Sequence, residues 1–432
     1  MQRQLSSLVS IVATTLAFLV IAGCGGDKDG QLTFAVGGAP AELDFWDTLV
    51  TRFEEKEGVS VNLLRQPTDS DQRRQGLVVS LKSRQPDPDV FLMDVAWLPQ
   101  FAASNWLEPL ADTSAANRLD VEAFFANVVD IADRYNGELI GLPIYIDGGV
   151  LYYRTDLLAE QGINQAPETW QQLVDTALKA QQARRTANKD FFGYVWQGAQ
   201  YEGLICNFLE VAASNGGGIT GAEGTIDLDR PANRKALEFM RDLIHDHKIS
   251  PKSTYTEMKE EEVRTYFQQG NALYERNWPY AWSLHQSEDS PVRDKVGIAP
   301  LPHFRGHESA STLGGWHVGL SKTSDSKPLA RKFIAFITSF DVQKELALEL
   351  GWNPGRKDVY QDEEVLAELP HFERLRSVFD HARPRPPLPY YTQLSQMLQR
   401  HLNAVLAGRR EADEALRQAQ TEAEAIVRQY ER

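Results

Sequence analysis

The chain has 432 residues and a formal net charge of −15. At roughly 100–200 residues per domain, this length predicts two or three domains, with enough buried apolar surface to fold without a disulfide. The negative charge argues against a nucleic-acid partner, because nucleic-acid binding depends on cationic contacts to phosphate. It suits a protein that binds a neutral ligand.

The N-terminus predicts an export signal over residues 1–24. Arg3 is the only charged residue before the apolar run 8–21, which is short for a membrane span and is followed at once by small residues. The run ends in Ile-Ala-Gly-Cys, which resembles a bacterial lipobox, so we expect Cys24 to carry a lipid. The alternative is a chance cysteine behind an ordinary signal peptide. Residues 25–30 predict a flexible tether.

From these features we expect the mature protein to lie outside the cytoplasm, anchored by lipid to a membrane at the periplasm or the outer cell surface. No later stretch is apolar for long enough to cross a bilayer. With Cys24 lipidated, Cys206 has no intramolecular partner, and we expect no disulfide.

The beginning of the mature chain shows the pattern of a parallel sheet. Apolar runs at 32–36 and 59–64 flank a stretch, 41–57, whose apolar residues recur at helical spacing. The alternation continues with a predicted helix at 72–82, a buried strand at 90–93 that ends at Asp94, and a strand at 140–146. Pro143 lacks a backbone donor and places the start of that last strand at an edge or a crossover.

From Leu151 onward the sequence predicts mostly helices with short strands between them. The expected helices are 156–162, 168–184, 202–215, 231–246 and 259–269, then one through 333–340, and the expected strands are 193–196, 272–275, 295–301 and 314–320. An apolar stripe from Ala412 to Tyr430 predicts a final amphipathic helix. The Pro-rich segment 383–389 predicts a rigid extended connector.

Two motifs that could indicate cofactor chemistry are weak. Residues 216–221 match G-x-G-x-x-G but follow a predicted helix instead of a strand, which favours a flexible loop over a dinucleotide site. His303 and His307 are four residues apart in a loop with Pro and Gly, which favours solvated or packed histidines over a zinc site. We therefore expect no cofactor and no metal.

Carboxylates leave two classes of function open. A sugar hydrolase needs an acid and a base or nucleophile about 5–10 Å apart, and Glu42, Asp94 and Asp147 are candidates by position. No local hydrolase motif accompanies them. The other class is a binding site, because ligands of open α/β sheets bind beyond the carboxyl ends of the strands, where Asp94 is predicted to lie. A helix cap or a turn is the structural alternative for each Asp.

Tryptophans in Gly- and Pro-containing segments favour the binding site. Sugar hydroxyls bond to carboxylates, amides and guanidinium groups, whereas sugar C–H faces pack on aromatic rings. Trp278 lies in Asn-Trp-Pro-Tyr, and Trp316 follows two glycines, so either ring can project into a cleft. Core packing is the alternative for each.

The chain resembles one family along nearly its whole mature length. The trehalose/maltose-binding proteins of ABC importers, within extracellular solute-binding protein family 1, are similar to it in the order and spacing of several segments. These segments are GGAPAELDFW (37–46), DPDVFLMDVAWLPQF (87–101), LPIYIDGGVLYYRTDLL (142–158), WQGAQYEGLICNFLEVAASNGG (196–217), FQQGNALYERNWPYAW (267–282), PLPHF (300–304), STLGGWHVGLSK (311–322), LGWNPGR (350–356) and RPPLPYY (385–391).

That resemblance implies an α/β fold of the bilobal periplasmic-binding-protein kind, type II. Two discontinuous α/β lobes are joined by crossing segments and close on the ligand by a hinge motion. We expect lobe one at 31–145 and 312–340, and lobe two at 146–311 and 341–432.

The resemblance also implies the ligand contacts. The matching positions are Glu42, Arg73, Asp94, Tyr145, Asp147, Trp278, Tyr280, Gly314, Trp316 and Arg385. Gly314 is expected to offer backbone and Trp316 a stacking face, while Arg74 leaves the register of Arg73 open.

The implied function is a monomeric, non-catalytic receptor that captures a disaccharide by hinge closure and delivers it to the permease subunits of an ABC importer. Trehalose and maltose are expected, with sucrose and glucose left open, because discrimination rests on hydroxyl partners placed within ångströms. A lipid-anchored sugar hydrolase and a structural lipoprotein are the alternative functions.

Overall fold

The structure is a computed structural model that describes residues 30–110, 119–221, 224–372, 375, 378 and 382–431. The predicted signal peptide, Cys24 and residues 25–29 of the predicted tether lie outside the described residues. Cys206 is a free, buried cysteine. Within the described part of the chain, no helix combines the length and the apolar character that a membrane span requires.

Within the described residues, the strands fall into two main sheets and one small ribbon. In chain order they are β1 (Gln31–Gly37), β2 (Ser60–Gln66), β3 (Val90–Asp94), β4 (Arg134–Tyr135), β5 (Glu138–Leu139), β6 (Leu142–Gly148), β7 (Val150–Arg154), β8 (Phe192–Val195), β9 (Ala272–Asn277), β10 (Val296–Ala299), β11 (Ser311–Leu320) and β12 (Ala382–Arg383).

The helices surround these sheets. They are α1 (Pro40–Glu57), α2 (Ser70–Lys82), α3 (Leu98–Ala103), α4 (Ala126–Val128), α5 (Thr155–Ala159), α6 (Trp170–Arg184), α7 (Glu202–Ala213), α8 (Pro231–His245), α9 (Ser253–Thr256), α10 (Glu260–Gln268), α11 (Ala281–His285), α12 (Lys327–Ile337), α13 (Phe340–Leu350), α14 (Glu363–Glu368), α15 (Tyr391–Leu406) and α16 (Ala412–Tyr430).

The first sheet is six-stranded, in the order β12-β11-β3-β1-β2, with β6 paired to β11. The predicted strand–helix–strand unit is confirmed, since β1 is parallel to both β2 and β3. β11 runs antiparallel to β3 and β6 and so joins the two. β6, which contains Pro143, pairs with no other named strand among the described residues, as expected for an edge. We call this sheet and the helices packed on it lobe one.

The second sheet is four-stranded, in the order β10-β7-β9-β8. β7 is antiparallel to β9 and β10, whereas β8 and β9 are parallel. The prediction that the chain turns mostly helical at Leu151 missed β7, because its apolar run fits a buried strand and a buried helix equally well. We call this sheet and the helices packed on it lobe two.

Each lobe has its own apolar core. In lobe one, the predicted stripe of α1 packs Trp46 and Phe53 against Phe34 and Phe333, with edge-to-face ring pairs between them. In lobe two, helices α6, α7, α8, α15 and α16 bury leucines against the second sheet and one another. Each core removes large apolar side chains from water, which is the main force that holds its lobe together.

The chain passes between the lobes at strand ends. β6 of lobe one leads through Gly149 directly into β7 of lobe two, and Ser311 Oγ at the start of β11 donates a 2.9 Å hydrogen bond to the Gly149 carbonyl. Val342 and Leu346 of α13 lie in the core cluster of the first sheet, a segment that the predicted boundaries assign to lobe two. The lobe boundaries stay a prediction.

Candidate ligand-binding site

A cavity of about 360 Å³ lies between the lobes. Small-molecule sites occupy about 300–1,000 Å³, so its size suits a small ligand. Every residue predicted to contact the ligand lines this cavity: Glu42, Arg73, Asp94, Tyr145, Asp147, Trp278, Tyr280, Gly314, Trp316 and Arg385. Residues distant in the chain are therefore brought together at one place.

Glu42 lies in the first turn of α1 and is held by two donors. Its Oε2 accepts a 2.7 Å hydrogen bond from the Ala39 backbone N–H, and its Oε1 accepts from the Trp352 indole at 3.1 Å. Burial raises the pKa of Glu42 to about 7, although the Ala39 bond and the charge of Arg73 oppose that shift. The carboxyl therefore takes up a proton much closer to neutral pH than an ordinary glutamate does.

Arg73 is presented by α2, whose N-cap is Asp69. The guanidinium donates to the carbonyls of Pro67 and Thr68, and its central carbon lies 4.4 Å from the centre of the Trp316 ring. Arg74, which left the register open in the sequence, does not line this cavity. A cation over the ring face is a favourable contact, so Arg73 and Trp316 position each other.

Asp94 ends β3, where the sequence predicts it. Its Oδ1 accepts from the Ala96 N–H at 2.8 Å and lies 2.7 Å from Arg385 Nη2. The other terminal nitrogen of Arg385 lies 3.1 Å from Glu202 Oε1. Arg385, whose side chain is 2% exposed, therefore bridges a carboxylate of each lobe.

Tyr145 and Asp147 are two residues apart on β6, so their side chains lie on the same face of the strand. The Tyr145 ring lies against the Trp352 ring with 4.0 Å between centres. Burial raises the pKa of Asp147 to about 7, and the charge of Glu42 adds to the shift. Burial thus raises the pKa of both carboxyls, and the charge of Glu42 raises that of Asp147 further.

Lobe two contributes Trp278 and Tyr280, which follow β9. The Trp278 ring is backed by Arg276, with 4.0 Å between the guanidinium carbon and the ring centre, and the Tyr280 hydroxyl donates to Glu261 Oε1 at 2.6 Å. Gly314 lies against this wall: a Cβ there would come within 2.9 Å of the Trp278 ring. The glycine therefore leaves room for the tryptophan.

An internal ion pair lies behind that wall. Arg276 and Glu210 are both fully buried and joined by a hydrogen bond of 2.9 Å from Nε to Oε2. Glu210 Oε1 also accepts from the backbone N–H of Thr312 at the start of β11. The pair thus connects the Trp278 wall to the strand that crosses between the lobes.

Sequence reasoning missed several polar residues of the cavity. Glu202 opens α7 and also accepts from the Tyr391 hydroxyl at 2.6 Å. Lys259 directly precedes α10, and Glu260 and Glu261 lie in its first turn. A run of charges at the start of a predicted helix is typical of a solvated end, so its pattern carried no signal for a cleft. These residues add three carboxyl groups and one ammonium group to the lobe-two side of the cavity.

The arrangement suits a ligand with many hydroxyls. Carboxylates accept from hydroxyls, the guanidinium groups donate to them, and the exposed faces of Trp278 and Trp316 offer apolar contact. Charged hydrogen bonds of this kind contribute about 1.5–3 kcal/mol each. Polar edges and ring faces combined in one cavity match the mixed surface of a sugar.

Comparisons with known proteins agree with this chemistry. The family described as bacterial extracellular solute-binding protein matches residues 39–344. A probable ABC transporter-binding protein of Deinococcus radiodurans is 36% identical over 356 residues, which are 82% of this chain and 83% of the relative.

Two solved structures share the fold. The maltose-bound MalE3 of T. maritima superposes with a TM-score of 0.86 at 38% identity and covers 92% of this chain and 99% of its own. A solute-binding protein of an ABC transporter from Thermotoga lettingae, bound with α-D-tagatose, has a TM-score of 0.83 at 28% identity, with 92% and 99% covered. The bilobal fold implied by the sequence is confirmed.

Proposed function

The chain belongs to the family of bacterial extracellular solute-binding proteins, and on this premise we propose that it is the receptor of an ABC importer that captures a disaccharide, trehalose or maltose. The similar proteins include a probable ABC transporter-binding protein and a solute-binding protein of an ABC transporter. The prediction of a non-catalytic chain is therefore confirmed, and the interpretation of Glu42, Asp94 and Asp147 as glycosidase carboxylates is set aside.

The observation that carries the proposal is the shared cavity between the lobes. Carboxylates, guanidinium groups and tryptophans from both lobes line it, so neither lobe holds the whole set. Ligand contact with both lobes favours a closed arrangement over an open one, because binding energy is gained only when both sides engage. The closed arrangement would therefore distinguish the loaded receptor from the empty one.

A disaccharide fits the shape and the chemistry of the cavity. Trp316 and Trp278 lie on different lobes, so each can pack against one pyranose ring. The carboxylates of Glu42, Asp94 and Asp147 are placed to accept from hydroxyls. The MalE3 protein, 38% identical, is described as bound to maltose, and the T. lettingae protein, 28% identical, as bound to the monosaccharide tagatose. The higher identity to MalE3 supports a disaccharide.

The cellular setting follows from the same proposal. Cys24 would hold the protein at the membrane through a lipid, and the loaded, monomeric receptor would dock on the permease subunits. Residues 25–30 would let it reach them without leaving the surface.

The test is titration calorimetry and thermal melting with trehalose, maltose, sucrose and glucose, with released glucose recorded in parallel. We expect tight binding of trehalose or maltose, a raised melting temperature and no glucose release. Trp316→Ala should weaken binding by well over tenfold, because it removes a ring face and the partner of Arg73. Its matched control is Trp106→Ala, whose ring packs on Phe101 and does not line the cavity.

Three outcomes would count against the proposal. If the wild-type protein bound none of these sugars, the proposal of a saccharide ligand would be wrong. Release of glucose would favour the alternative function, a sugar hydrolase. A Trp316→Ala variant that melts at a much lower temperature, but whose folded fraction binds sugar with unchanged affinity, would make Trp316 a core residue.

A further inference from the structure

An ion pair joins the two lobes at the rim of the cleft. Lys259 Nζ, just before α10 of lobe two, contacts Asp69 Oδ2, just before α2 of lobe one, and both residues line the cavity. The Lys259 side chain is 33% exposed and that of Asp69 13%, whereas Arg385, which links the lobes deeper in the cleft, is 2% exposed. The pair thus lies where the cleft opens to solvent.

Each partner also makes contacts within its own lobe. Asp69 is the N-cap of α2 and accepts from the Gln72 N–H at 2.9 Å. Burial alone would raise the pKa of Asp69, but the hydrogen bonds from Lys259 and Gln72 outweigh it and hold that pKa below its ordinary value. The Lys259 ammonium lies 5.2 Å from the centre of the Tyr201 ring of lobe two. The contact therefore joins charged groups that are fixed to opposite lobes.

We propose that Lys259 and Asp69 form a latch that closes the rim over a short saccharide and thereby limits the length of the ligand. The proposal rests on the proposed function. On this proposal, a disaccharide in the cavity of about 360 Å³, which the pair helps to line, lies behind the pair. A longer chain has to pass out between the lobes at the rim, where it separates the ammonium from the carboxylate. The latch therefore adds affinity for short ligands only.

The test is a double-mutant cycle with Lys259→Met, Asp69→Asn and the double variant. Methionine keeps the apolar stem of the lysine, and asparagine keeps the N-cap of α2, because Asn and Asp are equally good caps. Dissociation constants and dissociation rates are measured for trehalose and maltose and for maltotetraose. Arg52→Met with Glu345→Gln is the matched control, since that pair is partly exposed and lies within lobe one.

We expect each single variant to weaken disaccharide binding about two- to fivefold, mainly through faster dissociation, and the double variant to be no weaker than either. Binding of maltotetraose should be unchanged, so the preference for the short sugar falls by the same factor. The Arg52 and Glu345 variants should change neither. Additive losses, no loss, or an equal loss with maltotetraose would overturn the latch.

A failure of the proposed function gives a different result. If the wild-type protein binds none of these saccharides, the latch is judged without ligand, from the distance between spin labels on Val79→Cys in lobe one and Leu178→Cys in lobe two. Both positions are exposed. Some ligand-free molecules are closed at any moment and give the short distances, so Lys259→Met should reduce the fraction of short distances. A fraction of short distances equal to that of the wild type would overturn the latch by itself.

Discussion

Asp147 holds its proton up to about neutral pH because its carboxyl is buried on β6 beside Glu42. A sugar hydroxyl that donates to this carboxyl favours the ionised form and so lowers its pKa. Binding should therefore release protons near pH 7, and sugar affinity should rise as the pH is raised from 6 to 8. Calorimetry in buffers of different ionisation enthalpy measures the protons released.

Asp147→Asn should weaken binding by one to two orders of magnitude, as expected for one charged hydrogen bond, and should release fewer protons than the wild type. Glu42→Gln should remove the part of the proton release that Asp147→Asn leaves, because the pKa of Glu42 is also raised to about 7. Proton release that is the same in wild type and both variants would exclude these carboxyls as the titrating groups.

At the residue scale, what the sequence could predict depended on strand ends and on family motifs. Asp94 and Asp147 were found because each follows an apolar strand. Glu202 and Lys259 were not, because a charged residue at the start of a helix looks the same in a cleft as in open solvent. Only the approach of the other lobe turns such a residue into part of a site.

The pairing of β6 with β11 requires glycine at position 315. Gly315 has a φ of 131°, and a Cβ there would lie 2.5 Å from the Tyr145 carbonyl oxygen. Gly315→Ala should therefore lower the melting temperature and weaken sugar binding, since it pushes β6 and its ligand-facing side chains out of place. Differential scanning calorimetry and titration check both effects.

Gly76 is the matched control for that substitution. It lies inside α2, and a Cβ there would meet nothing within 4 Å. Gly76→Ala should stabilise the fold by about 0.5–1 kcal/mol, because alanine loses less backbone entropy in a helix than glycine does. A destabilised Gly76→Ala, or a Gly315→Ala as stable as wild type, would contradict this account.

At the element scale, some long helices with a continuous apolar face were predicted well, whereas β7, α13 and α15 were missed. α1, α8 and α16 match their predicted ranges closely, because one face is apolar throughout. β7 was missed since its position between β9 and β10 decides its conformation. α13 and α15 were also missed, although Ser339 caps α13 and Gly351 ends it in a left-handed conformation; those signals were present in the sequence.

For the whole molecule, closure on the ligand predicts a change in size. Small-angle scattering should give a smaller radius of gyration with saturating trehalose or maltose than without, because each lobe supplies part of the cavity lining. Trp316→Ala at the same sugar concentration should keep the larger radius. Equal radii for the free and loaded wild-type protein would contradict closure driven by the ligand.

The fold class followed from the resemblance, whereas the way in which segments change lobe did not. α13 packs its Val342 and Leu346 into the core of lobe one, and β12 joins the first sheet from far along the chain. The packing of these late segments on lobe one depends on tertiary contacts between distant parts of the chain, which local periodicity does not encode.

The place of Arg385 in the chain, after β12, also sets how much of the polypeptide must be made before the cavity lining is complete. β12 directly precedes Arg385 in the chain, so a growing polypeptide that stops before residue 382 already contains Asp94 and Glu202 but not the guanidinium that lies between them. A chain that ends before residue 382 therefore lacks the cation that joins one carboxylate of each lobe, and the lining of its cavity stays incomplete.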